Sequence, residues 1–379
     1  MDTQDWKSEQ ALVQSSDTVR LFQNSAFYPG YLPRLRQLTS ACKGYAAHVN
    51  AFLDDRFGAP HFLQPVLARE ASAFFTNGDD EMVQRLWAAE NGLASNATLE
   101  AILLAQIEGH RTEVFYNMDP LRYGSDFVRK LPGCVKKSLA WRAAPSPGAR
   151  FEAYDLVICN FPSILDSYQR AGWRAAYFTP AHDPEMDMYA ANTERPIDVI
   201  FVGGYSRHHR QRAEILEAVA ALRTQFKVVF HLDRSRLTKL AESPLGRLLP
   251  IGQHRRQPQM RAVSAEPLFG RALYGALSKA KIVLNGAVDM AGADRGNMRC
   301  FEAMGCGSLM LSDQGLYPDG MVDGKTLVSY RDTTAAVAHI GALLAAPAQA
   351  VGIALAGAAM VRERYSKQEQ WDKFCALLG

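Results

Sequence analysis

The hydrophobic pattern of the chain changes near Gly109. After a short predicted strand at Thr18–Gln23, apolar residues recur mainly at helical spacing, as in Leu32–Leu53 and Asp80–Ala89. Beyond Gly109, apolar runs that are too short for helices alternate with helical stretches, and each run ends in a loop rich in Pro, Asp or Asn. Such runs are typical of buried parallel strands covered by helices. The pattern therefore predicts the α/β class.

The predicted strands form two groups. They are Glu113–Asn117, Val135–Trp141, Asp155–Cys159 and Arg174–Phe178 in the first group, and Ile197–Val202, Lys227–His231, Lys281–Leu284, Ser308–Ser312 and Thr326–Tyr330 in the second. Between the groups, Thr179–Pro196 holds three prolines and several acids without apolar periodicity, which indicates a linker. We expect a first domain over residues 1–180, a linker at 181–196 and a second domain over residues 197–360.

The composition agrees with ordinary globular domains. Of the 379 residues, 48% are hydrophobic and 21% charged, and the net charge of +3 is small for a nucleic-acid binder. The six cysteines lack the spacing of a zinc site or redox pair, and residues 1–14 are too polar for a signal peptide. The Ala-rich stretch 334–361 could span a membrane by length, but two helices broken at Pro347 explain it better. We therefore expect a cytoplasmic protein.

The first candidate site is a strand that leads into a basic helix. Gly203 and Gly204 follow the predicted strand, and Arg207, Arg210 and Arg212 come next. Glycines let the backbone approach a ligand, a helix N-terminus offers free N–H groups, and arginines suit a diphosphate. The spacing fits neither a dinucleotide fingerprint nor a P-loop. Taken alone, the segment is either a phosphate site or a tight turn before a solvated helix.

The second candidate site is an acidic helix in the second domain. Asp294 and Glu302 lie eight residues apart with Arg299 between them, and Gly305 and Gly307 follow before a buried strand. A carboxylate beside a helix start can accept hydrogen bonds from both hydroxyls of a ribose. The alternative is a pair of acids that only stabilises the helix dipole.

Residues 297–313, NMRCFEAMGCGSLMLSD, with DVIFVGG upstream, resemble the donor site of GT-B group 1 glycosyltransferases and, more narrowly, of the CgeB-like ones. The resemblance covers residues 196–333 and extends weakly upstream through TEVFYNMD and YDLVICNFPSILDSYQRAGW. It implies two Rossmann-like domains facing a cleft, in which the first domain binds an acceptor and the second a UDP- or GDP-linked sugar. It also implies a C-terminal helix, residues 361–379, that packs back on the first domain.

The resemblance assigns roles residue by residue. Glu302 is expected to bind the donor ribose, and Asp294 to contact the transferred sugar. The residues expected at the diphosphate or sugar are Gly203, Gly204, Arg207, Arg210, Asn297 and Arg299. The upstream lysine of the retaining enzymes has no equivalent here, and Asp294 replaces their glutamate. Retaining and inverting reactions therefore both stay open.

An inverting reaction requires a general base from the first domain. Asp119 is the first candidate, because loops at the carboxyl ends of such strands face the crevice, and His182 in the linker is the second. A turn-capping role for Asp119 and a structural role for His182 are the alternatives. Arginines and a helix N-terminus can stabilise the leaving diphosphate, and the second domain has no D-x-D motif at a strand end. We therefore expect no metal ion and no cofactor.

The sequence thus predicts a metal-independent, hexosyltransferase-like enzyme of glycan biosynthesis. Its expected partners are a nucleotide sugar and a glycan, glycolipid or protein acceptor, with peripheral contact at the inner membrane face left open. A catalytically inactive binding or scaffold protein of the same fold is the competing hypothesis. A nicotinamide-dependent oxidoreductase is disfavoured, because the chain has no dinucleotide fingerprint.

Overall fold

The computed structural model describes residues 19–205, 210–286 and 291–379, without the side chains of Arg210, Arg247 and Gln253. Its strands form two six-stranded sheets in which all paired neighbours are parallel. The strands are β1 Leu21–Ser25, β2 Ala73–Asn77, β3 Val114–Asn117, β4 Lys137–Trp141, β5 Leu156–Cys159, β6 Ala175–Tyr177, β7 Ile197–Gly204, β8 Val228–Asp233, β9 Ser264–Ala265, β10 Ala280–Leu284, β11 Leu309–Asp313 and β12 Val328–Tyr330.

Helices connect the parallel strands and cover the sheets. They are α1 Leu32–Leu38, α2 Gly44–Asp54, α3 Gln64–Leu67, α4 Glu81–Glu90, α5 Leu99–Gly109, α6 Ser125–Val128, α7 Pro162–Arg170, α8 Met186–Ala190, α9 Arg210–Ala221, α10 Arg236–Glu242, α11 Pro258–Val263, α12 Gly270–Leu277, α13 Met298–Gly305, α14 Thr333–Ala345, α15 Pro347–Arg364 and α16 Lys367–Ala376. The α/β class and the paired Rossmann-like architecture are confirmed.

The strand order places one reversal in each sheet. The first sheet runs β2-β1-β3-β4-β5-β6, and the second runs β12-β11-β10-β7-β8-β9. The chain therefore changes direction between β1 and β3 in the first sheet and between β7 and β10 in the second. In open parallel sheets, ligands bind outside the carboxyl ends of the strands at such a reversal. The topology alone marks one binding position in each sheet.

Each sheet is packed with apolar side chains on both faces. Leu21 and Phe22 of β1 belong to different apolar clusters, as do Val199 and Ile200 of β7, because successive strand residues point to opposite faces. All four side chains are fully buried. Burial on both faces explains why the strands appear in the sequence as short continuous apolar runs rather than as alternating patterns.

The structure corrects the sequence prediction in two helical regions. The stretch predicted to be helical up to Gly109 contains β2, which pairs with β1 throughout its length. The predicted helix Leu32–Leu53 is divided into α1 and α2. In β2, Phe74 and Phe75 pack against the apolar clusters that cover the two faces of the first sheet. This tertiary packing outweighs the local helical spacing of the sequence, so the segment forms a strand.

The two glycines of the first candidate site lie within β7 rather than in a turn after it. Gly203 pairs with Leu232 and Gly204 with Asp233 of β8. A side chain at position 203 would approach the Phe201 ring to 3.1 Å, whereas position 204 opens onto free space. A side chain would therefore be crowded at position 203 but not at position 204.

The segment predicted as a linker is partly helical and well packed. It contains α8, and His182, Asp183 and Met186 are buried in it. The backbone N–H of His182 donates to the carbonyl of Tyr365 at 2.7 Å, so the segment also lies beside the C-terminal helices.

The C-terminal region returns to the first sheet. The Phe374 ring lies 5.1 Å from Tyr116 and 5.8 Å from Phe178, measured between ring centroids. The buried Lys367 ammonium donates to the carbonyls of Ala59, at 2.8 Å, and Phe62, at 2.7 Å. These four non-covalent contacts join α16 to the core and to one loop of the first sheet.

The Ala-rich stretch near the C-terminus forms two helices, α14 and α15, with the predicted break at Pro347, where α15 begins. Within the described ranges, no single helix is long and apolar enough to cross a membrane. Together α14 and α15 pass that test by length and composition, but they are bent by 105° relative to each other.

Candidate active site

A cleft of about 680 Å³ lies between the two sheets, with lining residues from both. We call the lining residues within 25–161 the first-domain wall and those within 201–302 the second-domain wall. Ser25 and Asp119 stand at the reversal of the first sheet, and Gly203 and Asn285 at that of the second. The two positions marked by the topology therefore face a single cleft.

The second-domain wall is centred on the first turn of α13. Asn297, Met298 and Arg299 line the cleft there, and Asn297 is the residue before the helix. The Asn297 amide donates to the Asn285 side chain at 3.3 Å, which holds the helix start beside the end of β10. The first backbone N–H groups of a helix have no partner within the helix and carry its positive dipole end. This wall can thus receive an anion.

Glu302 and Arg299 form an ion pair on α13 beneath the cleft. The Arg299 Nη1 group donates to Glu302 Oε2 at 2.6 Å, and the Glu302 side chain is 3% exposed. Burial raises the pKa of Glu302 above its ordinary value, and the Arg299 guanidinium opposes that rise. The carboxylate lines the cleft, where its remaining lone pairs can accept hydrogen bonds from a ligand.

Asp294 joins the two domains at the edge of the cleft. Its carboxylate accepts a hydrogen bond of 2.6 Å from the backbone N–H of Ser163, in the first turn of α7. Beside it, the Asn160 amide donates to the carbonyl of Gly296 at 2.8 Å. Asp294 is buried and lines the cleft, but in this conformation its carboxylate holds the first domain.

The basic residues predicted around the glycines are only partly described. Arg207 lies outside the described residues, and so does the side chain of Arg210. Arg212, on α9, lines the cleft and donates to the carbonyl of Gly286 at 2.9 Å. Gly203 lines the cleft, whereas Gly204 is exposed and is not among the lining residues.

On the first-domain wall, Asp119 lies directly after β3, as predicted. Its carboxylate is 3.3 Å from the Arg122 guanidinium, and its backbone N–H donates to the Asn117 side chain. Burial raises the pKa of Asp119, and Arg122 opposes that rise. A carboxylate with a raised pKa in a cleft is suited to accept a proton from a hydroxyl.

Asp79 lies behind Asp119, after the edge strand β2. Burial and, secondly, the Asp119 charge raise the pKa of Asp79 to about 6. Its carboxylate accepts from the backbone N–H of Phe27, whose side chain lines the cleft. The sequence did not single out Asp79, because the strand that carries it was predicted as helix.

The rest of the first-domain wall is mainly aromatic. Its rings are Phe27, Tyr28, Phe57, Phe62, Trp141 and Phe161. The His61 ring lies 4.7 Å from the Trp141 ring, and burial together with the nearby Lys367 ammonium lowers the pKa of His61 to about 3. His61 is therefore neutral over the physiological pH range. No pattern around His61 in the sequence indicated that it would line a site.

His182, the second base candidate, does not line the cleft. Its ring is buried beside α13, where a side chain at Gly305 would come within 2.9 Å of Nδ1. The Nε2 atom is 2.9 Å from the Asp187 carboxylate, and burial lowers the pKa of His182. The ring therefore packs between the linker segment and the second domain, and the structural alternative for His182 fits this position.

Comparison with known proteins gives the same architecture. The family model described as glycosyl transferase-like matches residues 210–376. HepE of Anabaena, solved in complex with UDP-glucose, is 13% identical with a TM-score of 0.57, over 94% of this chain and 98% of that chain. A glycosyltransferase from Rickettsia africae is 9% identical with a TM-score of 0.53, over 96% and 98%.

A third solved structure is TarM of S. aureus in complex with Fondaparinux, alpha-GlcNAc-glycerol and UDP. It is 12% identical with a TM-score of 0.50, over 78% of this chain and 64% of that chain. No curated protein sequence matches the chain. These identities show a common fold, and the CgeB-like subfamily stays a prediction. The chain therefore has the GT-B glycosyltransferase fold, and its second domain matches the glycosyl transferase-like family.

Proposed function

We propose that the protein transfers a sugar, most simply a hexose, from a nucleoside diphosphate sugar to an acceptor hydroxyl in the cleft. The observation that carries this proposal is the first turn of α13, which opens onto a cleft shared by both domains. A helix start with an adjacent arginine is a site for phosphate oxygens. The UDP and UDP-glucose held by TarM and HepE support a UDP-linked donor.

In the proposed complex the diphosphate lies at the backbone N–H groups of Met298 and Arg299. Arg212 and Arg299 both line the cleft and supply positive charge. Gly203 lines the cleft without a side chain, so the backbone at the end of β7 can approach the nucleotide. Glu302 accepts hydrogen bonds from the ribose hydroxyls.

In the reaction, the bond between the anomeric carbon and the phosphate oxygen breaks, and the electron pair leaves with the nucleoside diphosphate. The acceptor oxygen forms the new bond to the anomeric carbon and loses its proton. We assign that proton to Asp119 for an inverting reaction, because Asp119 is a first-domain carboxylate in the cleft with a raised pKa. Fixed cationic groups stabilise the leaving diphosphate, which needs no metal ion in this proposal.

The test is donor binding by Glu302→Gln, measured by calorimetry with UDP, GDP and their sugars. Glutamine keeps an oxygen for Arg299 but replaces the other with an N–H donor, which cannot accept from a ribose hydroxyl. We expect nucleotide binding to weaken about 10–100-fold, as for the loss of hydrogen bonds to a charged group. Glu363→Gln, an exposed site on α15, is the matched control. Equal binding by both variants would remove Glu302 from the donor site.

One observation favours the alternative of a binding or scaffold protein without catalysis. The Asp294 carboxylate, expected at the transferred sugar, is bonded to Ser163 instead. Slow hydrolysis of the donor in the absence of acceptor distinguishes the two functions, since the enzyme releases nucleoside diphosphate and the scaffold only binds it. Binding without hydrolysis, and without transfer to any acceptor tried, would favour the scaffold.

A further inference from the structure

Residues 234–256 present leucines to the solvent beside α10. Fifteen large apolar residues are exposed in the described part of the chain, and five of them fall in this segment. They form what we call the leucine patch: Leu237, Leu240, Leu245, Leu248 and Leu249. Leu245 and Leu248 are 74% and 86% exposed, so they contribute almost nothing to a core. Such a concentration of exposed leucines in a folded chain indicates a contact surface.

Two charged side chains of this segment, Arg256 and Glu242, are buried against each other. The Arg256 guanidinium binds both oxygens of Glu242 at 2.7 Å, and the two side chains are only 7% and 10% exposed. Arg255 donates to the carbonyl of Ala241 at 3.0 Å. A buried ion pair therefore lies beside exposed leucines, whereas a globular protein usually has its charged groups outside and its leucines inside.

These polar contacts give the patch a fixed shape. Gly246 lies so close to the end of α10 that a side chain there would come within 1.7 Å of the Leu240 carbonyl oxygen. The Ser235 hydroxyl accepts from the backbone N–H of Thr238 and caps the start of α10. The leucines are held outward by local structure rather than left exposed by a loose loop.

The charge of the segment selects the kind of partner. Residues 234–256 contain six Lys or Arg and one acid, Glu242, which gives a formal charge of +5, while the whole chain carries +3. The remainder of the chain is therefore net acidic. Arg236 and Lys239 are exposed on α10 between the leucines. Two copies of this segment would repel each other, so the charge argues against a symmetric dimer through this surface.

We propose that the leucine patch and its flanking basic residues dock on an anionic lipid bilayer. Leucines enter the acyl boundary while arginine and lysine side chains remain at the lipid phosphates, which is how basic apolar surfaces bind membranes. The patch follows the carboxyl end of β8, beside β7, and the cleft opens at the carboxyl ends of the same sheet. A docked patch would place the cleft edge near the membrane, where a lipid-linked acceptor hydroxyl is found.

The experiment measures sedimentation of the full chain with vesicles of phosphatidylcholine alone and of phosphatidylcholine mixed with phosphatidylglycerol. We expect binding to the mixed vesicles that weakens as salt is added. Leu245→Ser/Leu248→Ser should reduce it at least about tenfold, since two exposed apolar anchors are lost. Arg236→Glu/Lys239→Glu should reduce it by at least about tenfold on the anionic vesicles only.

The matched control is Val351→Ser/Leu355→Ser, which removes two exposed apolar side chains from α15. This variant should bind vesicles as the unchanged protein does, and all variants should keep their melting temperature and donor binding. The proposal is overturned if the unchanged protein does not sediment with anionic vesicles, or if the control loses binding as fully as the patch variant. A dimer in sedimentation velocity that the patch variant abolishes, without vesicle binding, would assign the surface to a second copy instead.

Discussion

The two walls of the cleft differ in chemistry. The second-domain wall presents Arg212, Arg295 and Arg299 around the start of a helix, so it is suited to bind negative charge. The first-domain wall presents six aromatic rings and, besides Asp119 and His61, the polar side chains of Ser25, Arg142 and Asn160. In the proposed function the two walls divide the labour: the second-domain wall binds the charged donor, and the first-domain wall binds an acceptor that buries apolar or ring surface.

The walls also differ in how the chain builds them. Much of the second-domain wall comes from one stretch, residues 291–302, whereas the first-domain wall is assembled from the ends of β1, β3, β4 and β5 and from the loop at 57–62. A contiguous wall leaves a motif in the sequence, but a wall assembled from distant segments does not. For this reason the second domain resembles a known family in sequence, whereas the first domain hardly does.

The sharpest test of the division is Asp119→Asn, which should abolish proton acceptance on the acceptor side alone. We expect turnover to fall about 10²–10⁴-fold, the usual contribution of a general base, with donor binding unchanged. Turnover is measured as release of nucleoside diphosphate in the presence of acceptor. Asp166→Asn, at an exposed acid on α7, is the control and should leave turnover unaltered. Equal loss of donor binding in the Asp119 variant would break the division of labour.

The next effect concerns the buried ion pair between Arg299 and Glu302 on the second-domain wall. Arg299→Met leaves the Glu302 carboxylate buried without its partner, which should cost about 3–5 kcal/mol of unfolding free energy. The double variant Arg299→Met/Glu302→Gln should recover most of that stability while donor binding stays weak. Denaturant unfolding measures the free energy of unfolding of both variants, and calorimetry measures their donor binding.

A surface pair supplies the comparison for that measurement. Arg331 and Asp332 form an ion pair whose side chains are 78% and 52% exposed, so Arg331→Met should change stability by less than about 1 kcal/mol. If Arg299→Met is equally mild, the buried pair contributes no more to stability than a solvated one, and the buried Glu302 carboxylate does not depend on Arg299 as its partner.

The smallest effect is a pH dependence from the acceptor side. Because the pKa of Asp79 is raised to about 6 in the fold, the folded chain holds a proton that the unfolded chain releases above about pH 4. Stability from this group is therefore present at low pH and lost as the pH rises from about 4 to 6. Asp79→Asn should be more stable than the unchanged protein above pH 6, by about 1–3 kcal/mol.

Melting temperature against pH measures this difference. Asp119→Asn should also change how the melting temperature depends on pH, since the charge of Asp119 is the second cause of the raised pKa of Asp79. The surface variant Asp126→Asn should not, because Asp126 is exposed and paired with Arg129. Parallel melting curves for the Asp79 variant and the unchanged protein would contradict the raised pKa.

The fold was largely predictable from the sequence, because buried parallel strands appear as short apolar runs with polar ends. The nine predicted strands beyond Gly109 all occur, with shifts of a few residues at their ends. The exceptions have physical reasons: β2 is flanked by helices whose spacing masks it, and β9 has only two residues, Ser264 and Ala265. Gly203 and Gly204 extend β7 because pairing with β8 continues through them.

The site was predictable on one side only. Glu302, Asn297 and Arg299 line the cleft because the motif around α13 folds locally, and Gly203 lines it from the end of β7. Asn285, which also lines it, could have been recognised, since it directly follows a predicted strand. His61 could not, because its position depends on a loop held by a lysine more than three hundred residues away. The contact between Asp294 and Ser163 likewise depends on how the domains meet.

The bond from Lys367 to the loop at 59–62 has a consequence for the order of folding. The loop leaves the ribosome 308 residues before the lysine that binds the Ala59 carbonyl. Domains generally begin to fold while later parts are still being synthesised. A nascent first domain can therefore form its sheet, but its loop at 59–62 is fixed only when Lys367 has been synthesised. The first-domain wall, which includes His61 and Phe62, is thus completed only after the second domain has been made.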